Sequence, residues 1–265
     1  MILLFMIIAI FISAIYFCFF ELTWFKALLV PVLSLLSVTI VYMLFWAVVG
    51  LFVDTSKPIK NQSRLCRSGC VGISSLALGY CGVHTKVYGI EKLPKNGRFL
   101  IVCNHRSLFD PLILVKYLKD FNLAFVGKPE ALSLPVVGKV GYAAGCLPID
   151  RENDRVALKT ILTAADYLKE DFCSMTIFPE GTRNKTEETV LPFRAGSFKI
   201  AQKADVPVVV AALCGTGNIS KNMFRRRTDT ELHILEVIPA EKVKETKTGE
   251  LAEYSRKLIE NDINK

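Results

Sequence analysis

The stretch that decides the fold is NHRSLFDP, residues 104–111. It follows the apolar, β-branched run Phe99–Cys103, which predicts a buried strand. It precedes Leu112–Leu118, whose pattern predicts a helix. In α/β proteins, reactive residues are often found in a loop at the C-terminal end of a strand. The stretch therefore predicts a strand-loop-helix unit and a candidate site in its loop.

His105 and Asp110 are the two residues of this loop that suit acid–base chemistry. His105 is one of only three histidines, and a neutral imidazole is the usual general base near pH 7. Asp110, five residues later, is close enough to hold one ring nitrogen while the other accepts a substrate proton. A second interpretation stays open, because an aspartate followed by Pro111 also fits a helix N-cap with proline at the first helical position.

The first 54 residues differ in composition from the rest of the chain. The 265-residue sequence is 51% apolar with a mean hydropathy of +0.36, and residues 1–20 and 27–53 carry no charge. Each segment exceeds the ~18 residues that mark a membrane-spanning candidate. We predict a membrane helical hairpin over 1–54, with a re-entrant or half-inserted pair as the alternative. A cleaved signal peptide is disfavoured, because residues 1–20 lack a basic start and a clear cleavage site.

A basic segment follows the hairpin and sets its predicted orientation. Lys57, Lys60, Arg64 and Arg67 place this end in the cytoplasm by the positive-inside rule, and the N-terminus and catalytic domain with it. We expect residues 55–83 to form a basic amphipathic juxtamembrane segment at the cell membrane. The net charge of +8 suits membrane lipids as partners, and no nucleic-acid-binding motif is present in the sequence.

Among the eight cysteines, Cys66, Cys70 and Cys81 precede His84 in a pattern that resembles a zinc site. Their spacings miss the short ligand pairs of structural zinc sites, and the three cysteines match one helix face instead. We expect small, buried, reduced thiols in a cytoplasmic protein and no metal.

Residues 84–265 alternate between strand and helix patterns, which predicts a single α/β domain with a partly parallel sheet. The predicted strands are Thr85–Ile90, Phe99–Cys103, Leu123–Val126, Cys146–Ile149, Ser174–Phe178, Val206–Ala212 and Glu231–Val237. The predicted helices lie near 111–119 and 130–139 and at Glu152–Glu170, Ser197–Ala204 and Gly249–Asn261.

Three more clusters stand where predicted strands end, and each carries a cation. After Ser174–Phe178 comes PEGTR, in which Arg183 offers a planar set of donors for a phosphate. Gly181 permits close backbone approach to a ligand, and Glu180 is placed to hold either the arginine or the loop. Lys128 and Arg151 follow two other strands. Together with His105 and Asp110, these cations predict a phosphate pocket next to a base.

The sequence resembles the 1-acyl-sn-glycerol-3-phosphate acyltransferase (lysophosphatidic acid acyltransferase) family across residues 84–215. Four stretches carry the resemblance: NHRSLFD at 104–110, KPEALSLPVVG at 128–138, FPEGTR at 178–183 and VPVVV at 206–210. The resemblance implies a glycerolipid-acyltransferase-like fold, a mixed sheet flanked by helices behind the hairpin.

The resemblance also implies the reaction and the residues that perform it. His105, oriented by Asp110, removes the proton of the sn-2 hydroxyl of lysophosphatidic acid, which attacks an acyl thioester of coenzyme A or acyl carrier protein. The product is phosphatidic acid, and no metal or cofactor takes part. The residues implied to bind the phosphate are Arg183, Lys128, Arg151, Gly181 and Thr182, and those implied to support the site are Asn104, Ser107 and Glu180.

Two alternatives to this activity stay open from the sequence. The same motifs serve acylation of glycerol 3-phosphate or of other lysophospholipids. A non-catalytic membrane protein that binds anionic lipid is the second alternative, although intact His105, Asp110 and Arg183 speak against it.

Overall fold

The computed structural model describes residues 1–21, 23–56, 59, 62–134, 136–150 and 153–265. The described residues form one seven-stranded sheet. Its strands are β1 (Val83–Tyr88), β2 (Leu100–Cys103), β3 (Leu123–Gly127), β4 (Leu147–Pro148), β5 (Ser174–Ile177), β6 (Val208–Cys214) and β7 (Thr228–Ile238).

Helices precede the sheet and connect its strands. In chain order they are α1 (Ile2–Phe19), α2 (Trp24–Leu51), α3 (Arg64–Tyr80), α4 (Asp110–Tyr117), α5 (Pro129–Leu132), α6 (Val137–Ala143), α7 (Asp154–Lys169), α8 (Lys199–Ala204), α9 (Ile219–Asn222), α10 (Ala240–Glu245) and α11 (Thr248–Ile263). The three longest helices of the α/β portion are α3, α7 and α11.

The sheet order is β1-β7-β6-β2-β5-β3-β4, and every neighbouring pair is parallel except β6 and β7. The predicted mixed, partly parallel sheet is therefore confirmed. β2 lies near the centre, and its four residues are fully buried. Because β2, β3, β5 and β6 are parallel, their C-terminal ends meet at one edge, which we call the carboxyl edge.

Two apolar layers cover the sheet, as the alternation of side chains along each strand requires. Leu100 and Val102 of β2 face a layer built mainly from α7, α8 and α11. Ile101 and Cys103 face the opposite layer, which includes residues of α3 and α4. The side chain of a residue that follows Cys103 by two positions is therefore directed toward the α4 side at the carboxyl edge.

α1 and α2 form the predicted hairpin, and both helices are long and apolar enough to cross a membrane by length and composition. The two helices run antiparallel, since Phe5 stacks edge-on against Tyr42 at a centroid distance of 5.2 Å and Ser13 Oγ lies 3.4 Å from Ser34 Oγ. Most of their large apolar side chains are exposed. The exposed apolar surface is consistent with a lipid environment.

α3 contacts both the hairpin and the α/β domain. It packs against α4 and α6, and the indole of Trp46 in α2 lies so close to Gly69 that a Cβ there would be 2.5 Å from the ring. Cys66, Ile73 and Leu76 are buried. α3 is therefore built into the α/β domain, and the juxtamembrane placement of residues 55–83 stays a prediction. Lys57 and Lys60 lie outside the described residues.

Several boundaries differ from the predicted ones for local reasons. The helix expected near 130–139 is two short helices, α5 and α6, and Val136 between them has a φ of +65°, which lies outside the helical range. α7 begins two residues later than predicted, where the Asn153 side chain accepts from Val156 N at 3.3 Å. β7 is longer than predicted, since its polar start pairs with β1.

Candidate active site

His105 follows β2 at the carboxyl edge and is held in one orientation. Its Nδ1 lies 2.8 Å from Oδ2 of Asp110, and its ring stacks on Phe178 at a centroid distance of 4.1 Å. The same Oδ2 accepts the backbone N–H groups of Arg106 and Ser107, both at 2.7 Å. Because Oδ2 acts as an acceptor for both backbone groups, it also accepts the hydrogen on Nδ1 of His105. The neutral imidazole therefore carries its free lone pair on Nε2.

Asp110 does not cap its helix. α4 begins at Asp110 itself with Phe109 as the N-cap, and the carboxylate turns back toward the loop instead of forward to the first helical N–H groups. The capping interpretation is therefore wrong. Asp110 is fully buried, and its Oδ1 has no hydrogen-bond partner among the described residues. The buried carboxylate orients the imidazole of His105 and fixes the loop, because it accepts hydrogen bonds from the imidazole and from the backbone N–H groups of Arg106 and Ser107.

Two neighbours of His105 fix the loop to the sheet. The buried Asn104 side chain donates to Leu213 O at 2.9 Å and accepts from Leu213 N at 2.8 Å, which joins the end of β2 to β6. Ser107 donates its N–H to Asp110, and its Oγ accepts the N–H of Phe109 at 3.3 Å. Asn104 and Ser107 therefore support the geometry of the loop.

Glu180 connects this loop to the segment that carries Arg183. Its Oε1 accepts His105 N at 2.6 Å and its Oε2 accepts Leu191 N at 3.1 Å. Burial raises the pKa of Glu180 from its ordinary value of 4.5 to about 7, although the two backbone donors oppose the shift. Of the two predicted roles, holding the loop is the one that these bonds perform.

Three cationic side chains line the same cavity as His105: Arg183, Lys128 and Lys185. Thr182 lines it as well. Among the described residues, the Arg183 guanidinium forms no hydrogen bond or ion pair, so its donors are available to a ligand. Arg151, the other predicted phosphate ligand, lies outside the described residues. The predicted juxtaposition of a base with Arg183 and Lys128 is present.

Gly181 has a structural role that the sequence did not predict. Its φ is +75°, and a Cβ at this position would lie 2.6 Å from Nε of Arg194. The glycine therefore makes room for the Arg194 side chain and permits the left-handed turn, and its contact with a ligand stays a prediction. Sequence reasoning missed both Arg194 and Lys185, because neither stands at the end of a predicted strand.

The cavity has a volume of about 580 Å³, within the usual range for small-molecule sites. Besides its cations and His105, its lining is mostly apolar and comes from α3, α4, α5, α6 and β3. The apolar lining includes Ile73, Leu112, Val115, Leu132 and Val137. A base and free cations beside an apolar cavity suit a substrate with an anionic head and a hydrocarbon tail.

The cysteines of this region are not organised as a zinc site. Cys66 and Cys70 belong to α3, whereas Cys81 lies beyond the end of this helix and His84 belongs to β1. Cys70 and Cys146 line the cavity, and burial raises the pKa of both thiols, that of Cys146 to about 11. Neutral thiols are poor nucleophiles, so neither of these two cysteines is a strong candidate for a covalent intermediate.

Comparisons with known proteins agree with the four motifs. The acyltransferase family profile matches residues 84–213. The 1-acyl-sn-glycerol-3-phosphate acyltransferase of Salmonella typhimurium is 31% identical over 170 residues, which cover 63% of this chain and 67% of the relative. The enzyme of the same name from Saccharomyces cerevisiae is 29% identical over 178 residues, or 66% of this chain and 58% of the relative. A putative 1-acyl-sn-glycerol-3-phosphate acyltransferase of Caenorhabditis elegans is 27% identical, and the match spans 64% of its length.

One solved structure shares the fold. The crystal structure of the 1-acyl-sn-glycerophosphate (LPA) acyltransferase PlsC from Thermotoga maritima superimposes with a TM-score of 0.64 at 24% identity. The superposition covers 86% of this chain and 90% of that protein. The profile match covers the domain that carries His105 and Arg183, and the Salmonella relative aligns over 67% of its length. The chain belongs to the 1-acyl-sn-glycerol-3-phosphate acyltransferase family.

Proposed function

We propose that the protein transfers a fatty acyl group from an acyl thioester to the sn-2 hydroxyl of 1-acylglycerol 3-phosphate, giving phosphatidic acid for phospholipid synthesis. The observation that carries the proposal is the shared cavity, in which His105, Arg183 and Lys128 stand beside an apolar lining. The names of the relatives agree with this acceptor. The thioester donor is acyl-CoA or acyl carrier protein.

The reaction begins with the proton of the acceptor hydroxyl. Nε2 of His105 accepts this proton while the hydroxyl oxygen attacks the thioester carbonyl carbon. Asp110, 2.8 Å from Nδ1, stabilises the imidazolium that forms. When the tetrahedral intermediate collapses, the C–S bond breaks and the imidazolium returns its proton to the leaving thiolate. Direct attack by the hydroxyl needs no covalent acyl-enzyme.

The phosphate of the acceptor fits the cations of the cavity. Arg183 offers two parallel N–H donors to a pair of phosphate oxygens, and Lys128 adds a point charge. Thr182 lines the same cavity, and we propose that Arg151, which lies outside the described residues, adds a further charge. The hydrocarbon tails occupy the apolar lining, where burial of methylene groups is favourable by about 0.8 kcal/mol each.

We further propose that the hairpin holds the protein in the cell membrane, with the α/β domain on the cytoplasmic side. The exposed apolar surface of α1 and α2 supports this placement. A membrane-bound enzyme meets its lipid acceptor and releases its lipid product without transferring either through water.

The test is turnover of each acceptor with each donor. Purified protein in mixed micelles should release thiol from acyl-CoA or from acyl carrier protein when lysophosphatidic acid is present. Glycerol 3-phosphate and a neutral lysophospholipid serve as competing acceptors. Faster turnover of either one would reassign the substrate, and no thioester turnover with any pair would leave only anionic-lipid binding.

A further inference from the structure

The turn that leads into β7 presents an aromatic side chain among cations. This basic turn comprises residues 221–227, with the sequence KNMFRRR. Phe224 is 77% exposed and has a φ of +62°. Side chains other than glycine, asparagine and aspartate seldom adopt this conformation, and a phenylalanine ring is seldom left this exposed. The basic turn therefore carries an exposed ring on a backbone conformation that is unfavourable for phenylalanine.

The cations of the basic turn divide into two groups. Nε of Arg226 donates to Asn222 at 2.7 Å, and Arg227 pairs with Asp229 at 2.6 Å. Lys221 and Arg225 are exposed, and within the described ranges neither has a side-chain hydrogen bond or ion pair. Two cations on either side of Phe224 are therefore free to bind an anionic partner.

The basic turn lies on the same edge of the sheet as His105. β7 begins at Thr228 and is antiparallel to β6, so its start lies beside the C-terminal end of β6. β6 is parallel to β2, whose C-terminal end carries His105. Two strand spacings separate β7 from β2, which is about 10 Å. The basic turn and the catalytic loop therefore share the carboxyl edge.

The part of the hairpin that extends beyond α3 projects from the α/β domain beside the basic turn. α2 runs antiparallel to α3, because Thr39 meets Tyr80 through their hydroxyl groups at 2.5 Å whereas Trp46 meets Gly69. The part of α2 before Thr39 therefore extends past the end of α3 by about 20 Å. Gly82, two residues beyond Tyr80, adjoins the backbone of Arg227, which lies 3.6 Å from the position of a Cβ on that glycine.

We propose that the basic turn is a second membrane contact, in which Phe224 enters the interfacial layer and Lys221 and Arg225 bind the phosphates of anionic phospholipids. The proposal rests on the membrane placement of the hairpin. An acidic carrier protein would also suit the cations. The membrane is favoured because an exposed ring projects between the cations and because the basic turn adjoins the base of the hairpin.

The first test measures the depth of the basic turn in the full-length protein. The Phe224→Trp variant is placed in vesicles that contain anionic lipid with bromine near the headgroup end of the acyl chains. The matched control is Lys95→Trp, since Lys95 is exposed and precedes β2 at the opposite edge. The fluorescence that the new tryptophan adds to that of the unsubstituted chain should be quenched by the brominated lipid in Phe224→Trp and unquenched in Lys95→Trp. Equal quenching of the two added signals would overturn the proposal.

The second test separates lipid from protein partners. In the Phe224→Trp background, the substitutions Lys221→Gln and Arg225→Gln should weaken binding of the basic turn to the anionic membrane about thirtyfold. Each factor of ten in the binding constant corresponds to roughly 1.4 kcal/mol. The control pair Lys95→Gln and Lys203→Gln should leave the quenching unchanged. A raised KM for acyl carrier protein with unchanged quenching would overturn the proposal in favour of carrier docking. Turnover of wild-type protein in micelles reports the proposed activity separately, so the two failures are distinguishable.

Discussion

Glu180→Gln should remove a pH-dependent part of the stability of the fold. The two carboxylate oxygens of Glu180 accept different backbone donors, His105 N and Leu191 N. Its pKa is about 7 in the folded protein against an ordinary 4.5, so the folded state binds more protons between these values. Stability from this group is fully present below about pH 4.5 and falls as pH rises to 7. The two pKa values differ by about 2.5, which corresponds to a loss of about 3 kcal/mol in the free energy of unfolding over this pH range.

The substitution has a second effect that does not depend on pH. A glutamine side chain has one acceptor oxygen and one NH2 group. Its oxygen can accept one of the two backbone N–H groups, whereas its NH2 group faces the other N–H, and two donors cannot form a hydrogen bond. An unpaired buried donor costs about 1–3 kcal/mol. Below pH 5 the variant should therefore be less stable than wild type by about 1–3 kcal/mol. Because wild type loses about 3 kcal/mol as pH approaches 8, the difference should vanish or reverse there.

Denaturant unfolding from pH 4.5 to 8, in detergent, measures both effects. The matched control is Glu187→Gln, because Glu187 is exposed on the same segment and should leave the wild-type pH slope intact. If Glu180→Gln and wild type lose stability in parallel as pH rises, Glu180 does not titrate in this range and the argument fails.

Three further predictions concern catalysis, the phosphate and the hairpin. His105→Ala should lower kcat by ~10²–10⁴-fold, and Asp110→Asn should also impair it severely without unfolding the protein; near-normal turnover in either variant would contradict the mechanism. Arg183→Ala and Arg183→Lys should raise the KM for lysophosphatidic acid about ten- to a hundredfold and leave that for the acyl donor nearly unchanged; equal effects on both substrates with a lowered Tm would make the arginine structural. Gly69→Ala should destabilise the protein by about 1–3 kcal/mol, because its methyl group collides with the indole of α2, whereas Gly249→Ala, with nothing within 4 Å, should be neutral in thermal unfolding.

The parts of the site that sequence could predict are those set by local pattern. The apolar run predicts β2, the stretch 104–111 predicts its loop, and the helical period predicts α4. Because the carboxyl ends of parallel strands lie at one edge of a sheet, Arg183 and Lys128 are expected beside His105. The capping signal of Asp110 was misleading, because the same short carboxylate bonds backward or forward according to the loop around it. Local pattern cannot separate these two outcomes.

Contacts between distant segments were beyond the sequence argument. Arg194 is 13 residues from Gly181, and nothing in the spacing shows that its side chain fills the space above the glycine. The apolar cavity was missed for the same reason, since its lining comes from five elements that no periodicity relates. The basic turn was overlooked because β7 begins three residues before its predicted start and forms an edge pair with β1.

α3 connects the membrane hairpin to the substrate cavity. Its Gly69 and Gly72 receive the rings of Trp46 and Tyr42 from α2, whereas Ile73, one residue further, lines the cavity. A single helix therefore separates the apolar surface of the hairpin from the apolar lining beside His105. The glycines on the hairpin side of α3 leave room for the rings of α2, so the packing of the hairpin sets the position of Ile73 beside the cavity. This arrangement explains why the small residues of α3, which carry no chemistry, matter for the position of the site.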